Sequence, residues 1–141
     1  MRSREQVIWD FVQQWLKKAD SDLQTAEILL KAKMKDYFTC IFHCQQGIEK
    51  FIKAYLVRHQ IDFRKTHDLD ELLNLTSRID PSFSQEINSC VWLTPYGVEF
   101  RYPGEYPEAD HQTAEKAYKE AEKVKNVVMK KLREYLSKGR P

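Results

Sequence analysis

From Arg4 to Lys33 the chain places Ile8, Phe11, Val12, Trp15, Ala19, Leu23, Ala26 and Leu30 at steps of three or four. That period puts the apolar side chains on one stripe of an amphipathic helix. A helix of that length cannot hide its stripe alone, so the remaining sequence must supply partners for it.

It does so twice. Asp36 to His59 repeats the period through Tyr37, Ile41, Cys44, Ile48, Phe51, Ile52 and Tyr55, behind Asp36 as a plausible N-cap. Ala109 to Ser137 repeats it through Ala114, Ala117, Ala121, Val124, Val128, Leu132 and Tyr135, its alanines favouring close helix contact. Gly47 is the one interruption of the second helix, at a cost of about 1 kcal/mol relative to alanine. Close approach of another helix explains its presence, and predicts tight antiparallel packing of the first two helices.

Between the second and last helices the elements shorten. Leu69, Leu72, Leu73 and Leu75 mark a short helix over Asp68 to Ser77, with Thr66 or Asp68 as its cap. Pro81 sets a boundary, Ser82 to Leu93 reads as a weaker fourth helix, and Pro95, Pro103, Gly104 and Pro107 read as a loop. With four glycines and five prolines in 141 residues there is little turn chemistry for a many-stranded fold. The expectation is one all-α domain over residues 1–141, an up-and-down bundle of three long helices and two short ones.

The formal net charge of +2 is too small to imply nucleic-acid binding, but its distribution is uneven. Arg101 is the one basic residue other than histidine between Ile79 and Glu115, whereas Lys123 to Pro141 holds seven basic residues and one acidic. The basic end has two readings, a patch for phosphate or an acidic partner, and a solvated helix end whose cations suit the dipole. No run of apolar residues approaches the length of a membrane span, and Cys40, Cys44 and Cys90 lack paired spacing. A cytoplasmic protein with reduced thiols and no membrane association is expected.

Chemistry-bearing motifs are sparse. There is no Gly-rich phosphate loop, nucleophile elbow or zinc-protease helix, and no cofactor is implied. Cys40, His43 and Cys44 could share a helical face, but a structural zinc site needs four ligands, so no metal is expected and the cysteines are assigned to the core. Glu49 and Lys53 stand in the favourable i,i+4 order, where the plain reading is a salt bridge of a few tenths of a kcal/mol, about 0.3, and the other is a nucleotide contact by Lys53 or Gln45.

Four separated segments nevertheless resemble the HEPN domain family: Ala19-Asp20 to Leu29-Leu30, Gln45-Gln46-Gly47-Ile48-Glu49-Lys50-Phe51-Ile52-Lys53-Ala54, Thr66-His67-Asp68-Leu69 with Leu72, and Phe100-Arg101-Tyr102-Pro103. They occur in the family's order, and the resemblance covers roughly residues 10–137. It implies a helical bundle like the substrate-binding domain of some nucleotidyltransferases, which commonly forms homodimers. Proteins of this kind are often paired with a minimal nucleotidyltransferase in a toxin–antitoxin-like arrangement.

Many HEPN proteins are metal-independent endoribonucleases that use an Arg and a His four to six residues apart, the His as general acid or base and the Arg against phosphate charge. Here no Arg is followed by His at that spacing: nine residues separate Arg101 from His111, and two separate Arg64 from His67. The reading preferred on sequence is therefore a nucleotide-binding or accessory protein that partners a nucleotidyltransferase, with Gln45, Lys53, Arg101 and Tyr102 as candidate contacts. The alternatives are an RNA-cleaving toxin using Arg101 and His111 across a dimer cleft, and a structural dimer module.

Overall fold

The computed structural model describes residues 1–98 and 109–141. Helix α1 spans Arg4–Lys31, α2 Phe38–Arg58, α3 Leu69–Thr76, α4 Pro81–Ile87 and α5 His111–Ser137, with a 3-10 segment at Asn88–Gly97 between α4 and α5. No strand occurs among the described residues, and none of these helices is long and apolar enough to cross a membrane.

The start of α1 is closed by a reciprocal cap: Gln6 N–H donates to the Ser3 hydroxyl at 3.1 Å and Ser3 N–H donates to Gln6 Oε1 at 2.9 Å. Its expected stripe is buried at Val12, Ala19, Leu23 and Ala26, while Phe11 stays 49% exposed on the margin. Helix α2 begins one residue later than its sequence pattern predicts. Its N-cap position is Tyr37, and Asp36 contributes from one residue further out by accepting the Phe38 N–H at 3.0 Å. Asp68 and Asp110 cap α3 and α5 with their carboxylates.

Helix α1 runs antiparallel to α2, as a descending set of contacts shows: Cys40 with Ala26, His43 with Asp22, and Lys53 with Trp15. Gly47 is where they come closest. A Cβ there would lie 2.2 Å from Leu23 Cδ1 and 3.4 Å from the Ala19 carbonyl oxygen, so any side chain would force the helices apart or push Leu23 out of its place. Helix α5 also runs antiparallel to α1, with His111 near Leu30, Tyr118 near Glu27, Lys125 near Asp20 and Arg140 near Asp10. Consequently α2 and α5 are parallel, and the α3–α4–3-10 stretch carries the chain back between them.

A single fourth helix over Ser82 to Leu93 is not what forms. Pro81 is its first residue rather than a break before it, the α-helix stops at Ile87, and Asn88–Gly97 winds as a 3-10 helix that includes Pro95. The reason is visible in the burial: Cys90, Leu93 and Tyr96 face the core at steps of three, the period of a three-residue turn. Pro95 additionally has no N–H to donate to an α-helical bond. Substituting Gly47 with leucine should lower unfolding free energy by about 1–3 kcal/mol through overpacking, read as an earlier midpoint in urea at unchanged m-value.

Candidate functional site

Helix α2 has thirteen of its twenty-one residues buried, including Gln45, Glu49 and Lys53. A helix surrounded on most sides must satisfy its polar residues inside the protein. At four-residue spacing the three form one row, and each is engaged. Lys53 Nζ donates to Glu49 Oε2 at 2.9 Å and to the Thr66 carbonyl at 3.2 Å, and it lies over the Trp15 and Phe63 rings at 5.5 and 5.4 Å. The second Glu49 oxygen faces His67 Nδ1 at 2.7 Å. Gln45 Nε2 donates to the His67 carbonyl at 3.0 Å, and Gln45 Oε1 accepts from Gln46 Nε2 at 2.8 Å.

The Glu49–Lys53 pair is thus not a solvated surface salt bridge. Both side chains are nearly sealed, at 4% and 6% exposure, so desolvation opposes the pair and only its further hydrogen bonds make it favourable. The row ties two connections to one stretch of α2. One is the turn from Phe63 to Asp68. The other is Gly97, whose carbonyl accepts from Gln46 Nε2 at 3.4 Å and whose position is close enough that a Cβ would lie 2.5 Å from Gln45 Cδ. Leu69 N–H donates to Thr94 Oγ1 at 3.2 Å and joins the two connections directly.

At the surface of this corner stands His67, whose side chain is 44% exposed. Its Nδ1 is taken by a buried carboxylate and its Nε2 makes no hydrogen bond among the described residues. An imidazole oriented in this way presents one nitrogen to a ligand or a reacting group in a fixed direction. Sequence reading placed Thr66-His67-Asp68 in the family pattern but gave His67 no role. The signal was available in the i,i+4,i+8 spacing of Gln45, Glu49 and Lys53 on a helix too apolar to leave them in water.

One turn toward the α2 N-terminus, Asp22 of α1 accepts from both His43, at 2.9 Å, and Lys50. Burial pushes the Asp22 carboxyl upward, but the hydrogen bonds from His43 and Lys50 outweigh it and hold the group below its ordinary value of 3.8.

The other sequence candidates fall elsewhere. Gln45 and Lys53 are in the row just described, beneath the surface. His111 opens α5 with both ring nitrogens occupied, Nε2 donating to the Leu30 carbonyl at 3.1 Å and Nδ1 facing Glu115 at 2.8 Å, and its ring meets Tyr37 edge-on. Arg101 and Tyr102 lie outside the described residues, as does the whole Phe100-Arg101-Tyr102-Pro103 segment. Cys40, Cys44 and Cys90 are free and fully buried. The hydrogen bond with Cys40 and burial push the Cys44 thiol up, and burial pushes Cys90 up to about 12. No group of three or more His, Cys, Asp or Glu among the described residues is placed to hold a metal ion.

Replacing Glu49 with glutamine leaves Lys53 charged and buried without its counter-ion, and should cost about 3–5 kcal/mol of unfolding free energy in urea. Asp22→Asn should cost about 1–2 kcal/mol at neutral pH. Because the folded-state carboxyl is depressed, its contribution is present above the unfolded value and lost as pH falls through the folded one, so the gap between wild type and Asp22→Asn should narrow below pH 3.8.

The model of the HEPN domain matches residues 12–132, a span that contains the α2 row, His67 and His111. The Methanocaldococcus jannaschii protein named "Putative toxin MJ1304" is 29% identical over 134 residues, covering 85% of this chain and 87% of that protein. No solved structure matches. With the helical bundle in place and the family pattern matched across 121 consecutive residues, the chain belongs to the HEPN domain family.

Proposed function

We propose that this protein is the HEPN member of a toxin-related pair, a cytoplasmic homodimer that binds a nucleotide at the His67–Gly97 corner and docks there on a minimal nucleotidyltransferase. The observation that carries the reading is the buried Glu49 carboxylate holding His67 Nδ1 at 2.7 Å while Nε2 remains available. Gln45 and Lys53 serve this corner from below, by fixing the two connections, rather than as direct contacts. In sequence Arg101 and Tyr102, the other two candidate contacts, follow Gly97 by four and five residues. The relative's name as a toxin supports the pair, and the absence of an Arg and His at the ribonuclease spacing favours the binding role over the cutting one.

The alternative, RNA cleavage by Arg101 and His111, has the same support from the relative's name. It would require His111 to release the Leu30 carbonyl or Glu115 before one of its nitrogens could take or give a proton.

A tagged pull-down from the native cell, with proteins and nucleotides identified by mass spectrometry, should recover a small nucleotidyltransferase in stoichiometric amount. Titration of the purified protein with ATP, GTP and CTP should give a saturable response that His67→Gln weakens about tenfold, the loss of one good charge-assisted hydrogen bond. No recovered nucleotidyltransferase and no response to any of the three nucleotides would overturn the proposal. RNA degradation lost in His111→Ala would replace it with the ribonuclease.

A further inference from the structure

At the pole of the bundle opposite His111, where α1 begins and α2 and α5 end, a cavity of about 290 Å³ opens between the last turns of α2 and α5. Arg58, His59, Lys131, Lys138 and Tyr135 line it, with Glu134 the one carboxylate in the wall. The two chain segments that build it are firmly placed. Helix α2 ends there in a closed turn, with Gln60 in the left-handed region at φ 56°, Gln60 N–H donating to Val57 and Ile61 N–H donating to Leu56 at 3.0 Å each. Arg58 and His59 lie inside that turn, between Val57 and Gln60.

The cations of the wall are not equivalent. Lys131 is committed to Asp80 at 2.6 Å, and Lys138 sits 3.7 Å from Glu134 while remaining 72% exposed. Arg58 has no carboxylate or hydrogen-bond partner among the described residues; its guanidinium lies 4.1 Å from the centre of the Tyr135 ring. Stacking fixes the plane of an arginine and leaves its N–H edge to donate, the geometry that matches an oxyanion with two parallel bonds. The Tyr135 hydroxyl is buried and also has no hydrogen-bond partner among the described residues. A donor-rich wall and a pre-oriented guanidinium ask for the same thing, a small multiply charged anion.

We propose that the Arg58–Lys138–Tyr135 cavity binds the phosphate groups of a small phosphorylated ligand. Arg58 supplies the paired N–H donors, Lys138 swings in from solvent as the mobile charge, and the Tyr135 ring holds the guanidinium in its plane. The volume lies at the lower end of ligand pockets, roughly 300–1,000 Å³, and suits a diphosphate or a mononucleotide rather than a dinucleotide. The carbonyl ends of α2 and α5 oppose an anion at this pole, so binding depends on the side-chain cations and weakens as ionic strength rises. His59 contributes shape and hydrogen bonding rather than charge, since burial and the neighbouring Arg58 lower its pKa from 6.5. The site is separate from the His67 corner and does not depend on the role proposed there.

The test follows the Arg58 Nε–H signal by NMR while inorganic pyrophosphate, and separately AMP and inorganic phosphate, are added to the full chain. Saturable shifts should appear with pyrophosphate, and AMP binding tighter than inorganic phosphate would identify a nucleotide as the source of the anion. Arg58→Gln should weaken pyrophosphate binding about tenfold, read on the Tyr135 ring signals, and Lys138→Gln, at an exposed position that cannot unfold the protein, about threefold. No saturable shift at ~10 mM pyrophosphate, or binding indifferent to Lys138→Gln and to added salt, would overturn the proposal.

Discussion

The buried Glu49 carboxylate is the interaction on which the middle of this protein depends. A charge 4% exposed is tolerated only when its oxygens are occupied, and here one oxygen takes Lys53 while the other takes His67. The stretch from Phe63 to Asp68 therefore has one place to lie, across α2, and α3 must begin where Asp68 caps it. Were the row apolar, α2 could pack as well or better, but nothing would orient the connection or the imidazole it carries. The polar row gives up generic core stability for geometry at the surface.

The close seam between α1 and α2 makes that row possible. Gly47 lets the two backbones approach until Leu23 and Ala19 fill the space a side chain would take, which draws Trp15 over Lys53 and Asp22 against His43 and Lys50. Lys53 consequently sits between two aromatic faces as well as beside a carboxylate, and the rings contribute attraction to a cation that water no longer reaches. The glycine acts at one level of the structure and the charge network at the next.

The two poles of the bundle differ because α2 and α5 are parallel. Their N-termini share the end where His111 is bound to Leu30 and Glu115, and their C-termini bring Arg58 to the basic last turns of α5. On sequence the basic residues from Lys123 onward could be a solvated helix end. Much of that charge is indeed taken up, by Asp20, Asp80 and Asp10, which answer Lys125, Lys131 and Arg140. Of the rest, Lys138 stands at the Arg58 cavity, 3.7 Å from Glu134.

The sequence by itself determined the three long helices, their inward faces and the glycine contact, because a period of 3.6 and a missing Cβ are properties of neighbouring residues along one chain. It also carried the family pattern. It misjudged the stretch from Ser82 to Gly97, read as one weaker helix to Leu93 and then loop, where the α-helix stops at Ile87 and a 3-10 helix runs on through Pro95. Tertiary structure alone decided that Glu49 and Lys53 are buried, that His67 completes them from eighteen residues away, and that Arg58 meets Tyr135 across seventy-seven. Desolvation and pairing of this kind depend on which surfaces meet, and two helices can meet in many ways that leave each one's own period unchanged.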